Sequence, residues 1–255
     1  MDSRTLRSQG KRLFVWLFVI ALLAAAVGLI YFGTPLRGTP ASVDAVGDDP
    51  AITLDRGGGA YVVQPAHADS EVGLVFYPGG RVHPDAYVAS LAPLAREANA
   101  TVVVPKMPLN LAVLDQGAAG PAIEKYEPNR WVVGGHSLGG VMACRYAANN
   151  PERVDGVVLF ASYCDRDIAE TNLAALSVTG AADTVLDRGD YEENRENLPA
   201  DAVVRELPGV NHTQFGAYRG QSGDDPSGTR YAVAHRRLAN VTVPWMQNVS
   251  ARAGA

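Results

Sequence analysis

The chain of 255 residues predicts an α/β domain, with a mostly parallel sheet and helices on both faces, preceded by one transmembrane helix. Three observations lead there. Short β-branched runs alternate with helical patterns from residue 51 onward. Several of those runs are apolar without interruption, as in strands covered on both faces. Residues 13–32 carry no charge at all. The composition is that of a globular chain with a substantial core, 47% apolar and 19% charged, which excludes a disordered, collagenous or coiled-coil protein.

Residues 13–32 (LFVWLFVIALLAAAVGLIYF) span roughly 30 Å as a helix, enough to cross a bilayer. The run exceeds a cleavable signal's apolar region, and no small-residue cleavage site stands out after it, so it reads as an uncleaved anchor. Arg4, Arg7, Lys11 and Arg12 precede it and only Arg37 follows closely, which places residues 1–12 in the cytoplasm as a basic tail and the body outside the cell membrane. Residues 33–50 are rich in Gly, Pro, Ala and Asp and read as a linker, so the catalytic domain is expected over 51–255. The formal net charge is −5 overall. Five of the 22 basic and one of the 27 acidic residues lie in 1–37, leaving 17 against 26, a body of net −9 that should repel nucleic acid.

Along the body, 52–54 and 60–63 flank a Gly triplet as an opening hairpin. A strand over 72–77 leads to a helix over 85–99, a strand over 101–105 to a weaker helix over 116–125, and a strand over 131–135 to a helix over 138–149. A strand over 156–162 leads to a short helix near Ile168, one over 174–180 to a polar helix over 184–197, and one over 202–207 to a closing helix over 230–246. Sites in such sheets form at the strands' carboxyl edge. Cys144 and Cys164 sit in apolar or element-end contexts and read as separate buried thiols.

The chemistry concentrates in Gly135-His136-Ser137-Leu138-Gly139, between a predicted strand and a predicted helix. A nucleophilic serine on such a sharp turn needs neighbours almost without side chains, and the helix N-terminus favours developing negative charge. Ser137 needs a base. Asp183, just past the strand ending at Gly180, and His212, in the loop after the strand ending near Leu207, follow in the order Ser, Asp, His. Asp183 also reads as a helix N-cap, with Asp187 and Asp167 in reserve as the carboxylate. The expected oxyanion donors are the N–H of Leu138 and that of Gly80, or else Arg81, in the loop after the strand over 72–77. Lys106 and Asn110 are possible pocket residues at the same sheet edge, although a structural loop role fits them as well. His67, His83 and His235 read as ordinary surface or helix-end residues, and His136 as the variable position of the turn. Residues 216–228 read as a mobile rim in which Asp224 and Asp225 make only a weak calcium site.

The tracts FYPGGRVHPDAY, VPKMPLNLAVLD, GGHSLGGVMACRYA and NHTQFG resemble the α/β-hydrolase superfamily, and within it the small membrane-anchored or exported "α/β-hydrolase family 5" domains. The resemblance covers residues 50–245 and implies the α/β-hydrolase fold with Ser137, Asp183 and His212 as triad. Some relatives are likened to dienelactone hydrolases, which use a cysteine nucleophile where this chain has serine. Too few residues separate the strands over 156–162 and 174–180 for a cap domain. The expectation is therefore a membrane-anchored serine hydrolase, carboxylesterase-like, acting on a small ester or thioester through an acyl-enzyme. It is expected to be a monomer without cofactor, metal or nucleic-acid partner. The competing readings are a membrane-tethered binding protein that keeps only the hydrolase shell, and an acyltransferase using the same triad.

Overall fold

A long uncharged stretch satisfies its backbone groups internally by coiling, and residues 13–32 do so within one helix, α1 (Ser3–Gly33). The structure, a computed structural model, describes residues 3–251, with side chains from residue 11; the cations Arg4 and Arg7 lie outside the described side chains. Lys11–Gly33 is long and apolar enough to cross a membrane, and its large apolar side chains are exposed apart from the half-buried Val19 and Phe32.

The expected linker is partly folded. Leu36 bridges in parallel to Val82, its N–H donating to the Arg81 carbonyl (2.7 Å) and its carbonyl accepting from His83 N–H (2.8 Å). Arg37 pairs with the buried Asp85 carboxylate at 2.8 Å, and Gly38 N–H donates to the same group at 2.9 Å. Thr39 then N-caps α2 (Pro40–Gly47) through the Ser42 N–H, with proline in the first turn, and Val43 and Val46 are buried. The folded unit therefore begins near Leu36 rather than at 51. The composition suggested a tether, but Thr39-Pro40 is a helix start and the two valines three apart give the helix an apolar stripe.

β1 (Ile52–Asp55) and β2 (Ala60–Pro65) form an antiparallel hairpin whose turn needs Gly58 and Gly59 at positive φ, 61° and 86°. After β3 (Val72–Tyr77) comes a 3-10 turn, Pro84–Tyr87, and α3 (Val88–Ala98), which stops where Asn99 turns left-handed. β4 (Ala100–Pro105) follows, then 3-10 turns at Pro108–Asn110 and Ala112–Leu114, so that α4 (Ala119–Lys125) starts later than its expected helix. β5 (Arg130–His136), α5 (Leu138–Asn149), β6 (Gly156–Phe160) and β7 (Ala174–Gly180) continue the alternation. Residues 161–173 form a loop, without the short helix expected near Ile168 and without a cap. The polar helix expected over 184–197 shrinks to α6 (Arg188–Glu193) and a 3-10 turn, Asn194–Asn197, because Asp187 takes the cap by accepting from Gly189 and Asp190 N–H. β8 (Val203–Leu207) and α7 (Tyr231–Ala251) complete the domain.

The eight strands lie in the order β1-β2-β4-β3-β5-β6-β7-β8. β1, β2 and β4 pair antiparallel, and every other pairing is parallel. Strand order reverses between β3 and β5, so the switch point, where α/β sheets bind ligands, lies at the carboxyl ends of these two strands. β3 is buried at every residue, and its side chains alternate between two cores. Leu74 and Phe76 join Leu91, Leu94, Leu238 and Met246 of α3 and α7, while Val75 and Tyr77 join Val141 and Met142 of α5 with Ala119 and Ala122 of α4.

Cys144 and Cys164 are disulfide-bonded, which corrects the expectation of two free thiols. Pairing requires Cα atoms within reach, here 5.4 Å apart, and only the packing of α5 against the loop after β6 creates that approach. The bond closes a loop 20 residues apart in sequence, for which the chain-entropy account gives about 3 kcal/mol. In urea unfolding of the detergent-solubilised chain, reductant should lower the unfolding free energy by that amount, with a correspondingly lower midpoint, and Cys144→Ala/Cys164→Ala should match the reduced protein. An unmoved midpoint would show that the bridge adds nothing to stability.

Candidate active site

The turn after β5 places Ser137 at φ 53° and ψ −127°, a conformation that a residue with a side chain adopts only when its surroundings enforce it. The enforcement comes from close packing. A Cβ at Gly135 would strike the Gly139 backbone, and one at Gly139 would strike the Tyr77 carbonyl of β3. Ser137 N–H donates to the Phe160 carbonyl on β6 (3.0 Å), while its own carbonyl accepts from Gly140 N–H (2.9 Å) and from the Ser162 hydroxyl (2.8 Å). The turn is thus fixed by β3, β5 and β6 together. Ser137 itself is half-buried at the sheet's carboxyl edge.

Two more chain segments meet beside it. After β7, one Asp183 carboxylate oxygen accepts from Val185 N–H (2.9 Å) and Leu186 N–H (3.0 Å), and the other lies 2.9 Å from His212 Nδ1. The expected helix N-cap is not formed, since no helix begins at Thr184: one oxygen closes a turn with the two backbone N–H groups and the other meets the histidine. Both side chains of the pair are shielded from solvent, 0% and 1% exposed. Burial pushes the Asp183 carboxyl up, but the hydrogen bond and charge of His212, with the two backbone N–H groups, pull harder and hold it below the usual carboxylate range. An ionised Asp183 can only accept, so Nδ1 carries the proton and Nε2 is left as the basic lone pair. That Nε2 is buried and has no hydrogen-bond partner among the described residues. The His212 ring lies 4.4 Å from the ring of His136, the residue immediately before Ser137.

The alpha/beta hydrolase family model matches residues 73–234, which contain all of these elements from β3 to the start of α7. The chain belongs to the alpha/beta hydrolase family. Among solved structures it is similar to a predicted CIB-like hydrolase from Thermoplasma acidophilum, at 18% identity and a TM-score of 0.56 over 77% of this chain and 99% of that one, a likeness of fold. No match is found among the curated proteins. Family and fold support a hydrolase, and in this alpha/beta hydrolase the remaining expected residues divide sharply.

Gly80 adjoins the turn, since a Cβ there would sit 3.5 Å from Leu138 Cδ2. Among the described residues the N–H groups of Gly80 and Leu138 have no hydrogen-bond acceptor. Arg81 N–H, the alternative donor, is engaged by the Asn110 carbonyl at 2.8 Å. Asn110 in turn gives its side-chain amide to the Phe32 carbonyl at 2.8 Å, so it serves the loop rather than a pocket. Lys106 is exposed, with its ammonium 5.6 Å from the Tyr61 ring centroid. Asp187 is the cap of α6, and Asp167 accepts from Ala169 N–H. The expected mobile rim is pinned to the site: Asp224 accepts from His212 N–H (3.0 Å) and Thr213 N–H (2.9 Å), and Thr184 bonds Gly223 and Asp225. A cavity of about 550 Å³ lies behind this rim, lined by Asn211, Gln214, Arg219 and Tyr231 and not by Ser137.

His136, Tyr87 and Ser162 are the site residues that the sequence reading missed. His136 is fully buried, stacks 5.8 Å from Phe215, and shares a 2.9 Å hydrogen bond between Nδ1 and the Tyr87 hydroxyl. Tyr87 also accepts from Gly79 N–H at 2.9 Å, tying His136 to the loop that carries Gly80. Burial, then the charge of His212, push the His136 imidazole well below its usual range, so it stays neutral under His212. Strand alternation offered a signal: His136 is two and four residues from Gly134 and Val132, on the face that packs against α3 and α7. His83 is also more than a surface residue, pairing with Asp85 at 3.0 Å, and His235 bonds the Gly216 carbonyl at 2.9 Å; His67 is exposed as expected.

Because the folded-state carboxyl of Asp183 titrates below its unfolded value of 3.8, its stabilisation is complete above that value and is lost as pH falls through the folded one. Asp183→Asn should cost about 2 kcal/mol at pH 7, the scale of a buried charged hydrogen bond, and the gap in Tm to the native chain should close as pH drops below 3.8. A gap that persists unchanged at low pH would mean that the ionised carboxylate is not what stabilises the site.

Proposed function

We propose that this chain is a membrane-anchored serine hydrolase that cleaves a carboxylic ester or thioester through an acyl-enzyme. The observation that carries the reading is the buried Asp183–His212 hydrogen bond, which leaves His212 Nε2 basic and unpartnered beside the strained turn of Ser137. In the reaction, Nε2 takes the Ser137 proton as Oγ attacks the acyl carbon, and Asp183 balances the imidazolium that forms. The oxyanion of the tetrahedral intermediate is held by Leu138 and Gly80 N–H, aided by the N-terminal end of α5. Collapse breaks the bond to the leaving group, which departs with the proton from His212. Water then gives its proton to the same nitrogen, attacks the acyl-enzyme, and frees the acid and Ser137.

The loop over 161–173 bears no cap, which suits an open cleft rather than a deep lidded pocket. The apolar run of α1, with four cations ahead of it, supports a single span with the N-terminus in the cytoplasm and the hydrolase outside.

The test is covalent. A fluorophosphonate probe should label the full-length chain, and Ser137→Ala should abolish labelling and lower ester kcat/KM at least about 10³-fold. Full turnover by Ser137→Ala would refute the mechanism. His212→Ala should bring a comparable loss, since a serine without its base is a weak nucleophile.

A further inference from the structure

Outside α1, the large apolar side chains exposed among the described residues are Leu109 (40%), Val113 (42%) and Leu114 (54%). All three fall in one loop, residues 107–116, which leaves β4 at the carboxyl edge of the sheet. Leu109 and Asn110 both stand at positive φ, 50° and 56°, so the loop is held in a definite shape. It is also fixed to the end of the apolar helix, through the Asn110 amide on the Phe32 carbonyl. Next to it the Arg81 guanidinium, 3.5 Å over the Tyr31 ring, donates to the carbonyls of Tyr31 (3.0 Å) and Thr34 (3.2 Å). On its inner side the loop reaches the catalytic turn, with buried Ala112 and half-buried Leu138 in one apolar cluster.

We infer that loop 107–116 seats in the bilayer interface beside α1, and that the site draws its substrate, an acyl ester carried in the membrane, from that surface. The occupant follows from continuity. Exposed apolar side chains run along α1 up to Tyr31, and the hydrocarbon that covers them ends where interfacial aromatic residues belong. A loop bonded to Tyr31 and Phe32 through Arg81 and Asn110 lies at that depth. Leucine and valine exposed there lose water to lipid rather than to a second protein. An acyl chain leaving the bilayer along Leu109, Val113 and Leu114 would arrive at Leu138 and Gly80, where the oxyanion is to be held. The seating of the loop rests on α1 spanning the membrane, and the substrate half rests on the serine-hydrolase reading as well.

The experiment uses the full chain in phosphatidylcholine vesicles. A spin label at Leu114→Cys should show an oxygen-to-nickel-chelate collision ratio several-fold above that of the same label at His67→Cys, which is exposed before β3 at the opposite edge. Equal ratios would overturn the seating of the loop. In the same vesicles, the rate on p-nitrophenyl palmitate in the bilayer, divided by that on soluble p-nitrophenyl acetate, should fall at least tenfold in Leu109→Asp/Val113→Asp/Leu114→Asp. Leu114→Asp alone should shift it in the same direction, should the triple variant misfold. An unchanged ratio would overturn the membrane-borne substrate. A chain that resists fluorophosphonate while Leu114 still reports lipid refutes the serine hydrolase and with it the substrate half. Fluorophosphonate labelling with equal collision ratios refutes the seating alone when a label at Leu23→Cys in α1 still reports lipid, and refutes the membrane span with it when that label does not.

Discussion

Ser137 sits where a residue with a side chain is costly to hold, and most of the molecule around the site is arranged to hold it there. The turn can exist only because Gly135 and Gly139 let β5, α5 and the end of β3 approach more closely than any Cβ would permit. It stays in place because Phe160 and Ser162 of the neighbouring strand and its loop grip the Ser137 backbone. The Cys144–Cys164 bridge adds a covalent tie between α5 and that same loop. The parallel strand order is therefore a geometric condition of the chemistry: without β3 and β6 on either side of β5 the turn would relax.

The histidine side of the site is built by the same logic with different means. His212 is on a short 3-10 turn that could shift, and four groups prevent it: Asp183 on the ring, Asp224 on the backbone, and the reciprocal bonds between Asn211 and Gln214. Beneath it His136, neutral and locked to Tyr87, supplies an apolar-acting floor that does not compete for the proton. Tyr87 carries the connection on to Gly79, so the floor of the imidazole and the loop of Gly79 and Gly80 share one hydroxyl. The same loop continues through Arg81 to the end of α1. Site and apolar helix are thus parts of one hydrogen-bonded unit rather than a domain hung on a string.

Much of this is legible in the sequence. The glycine pattern around Ser137, the turn residues ahead of Asp183 and His212, and the uninterrupted apolar runs each reflect a local requirement, and local requirements are written in contiguous residues. The reading failed where a residue's role depends on what approaches from elsewhere. Residues 36–47 look like a tether until Asp85 and α3 are there to receive Arg37, Val43 and Val46. The stretch 216–228 looks mobile until Thr184 and the His212 turn pin it. Asn110 reads as either a pocket or a loop residue until Phe32 claims its amide.

The amino-acid order alone determined the fold class, the long apolar helix, the serine turn and the succession of serine, carboxylate and imidazole, because propensity, periodicity and glycine spacing act over a few residues. Tertiary structure alone decided that Cys144 meets Cys164, that among the described residues Arg81 rather than Gly80 spends its N–H on a carbonyl, and that His136 lies under His212. Each of these is a contact between segments far apart in the chain, and no local pattern encodes which of two distant groups will find the other first within bonding distance.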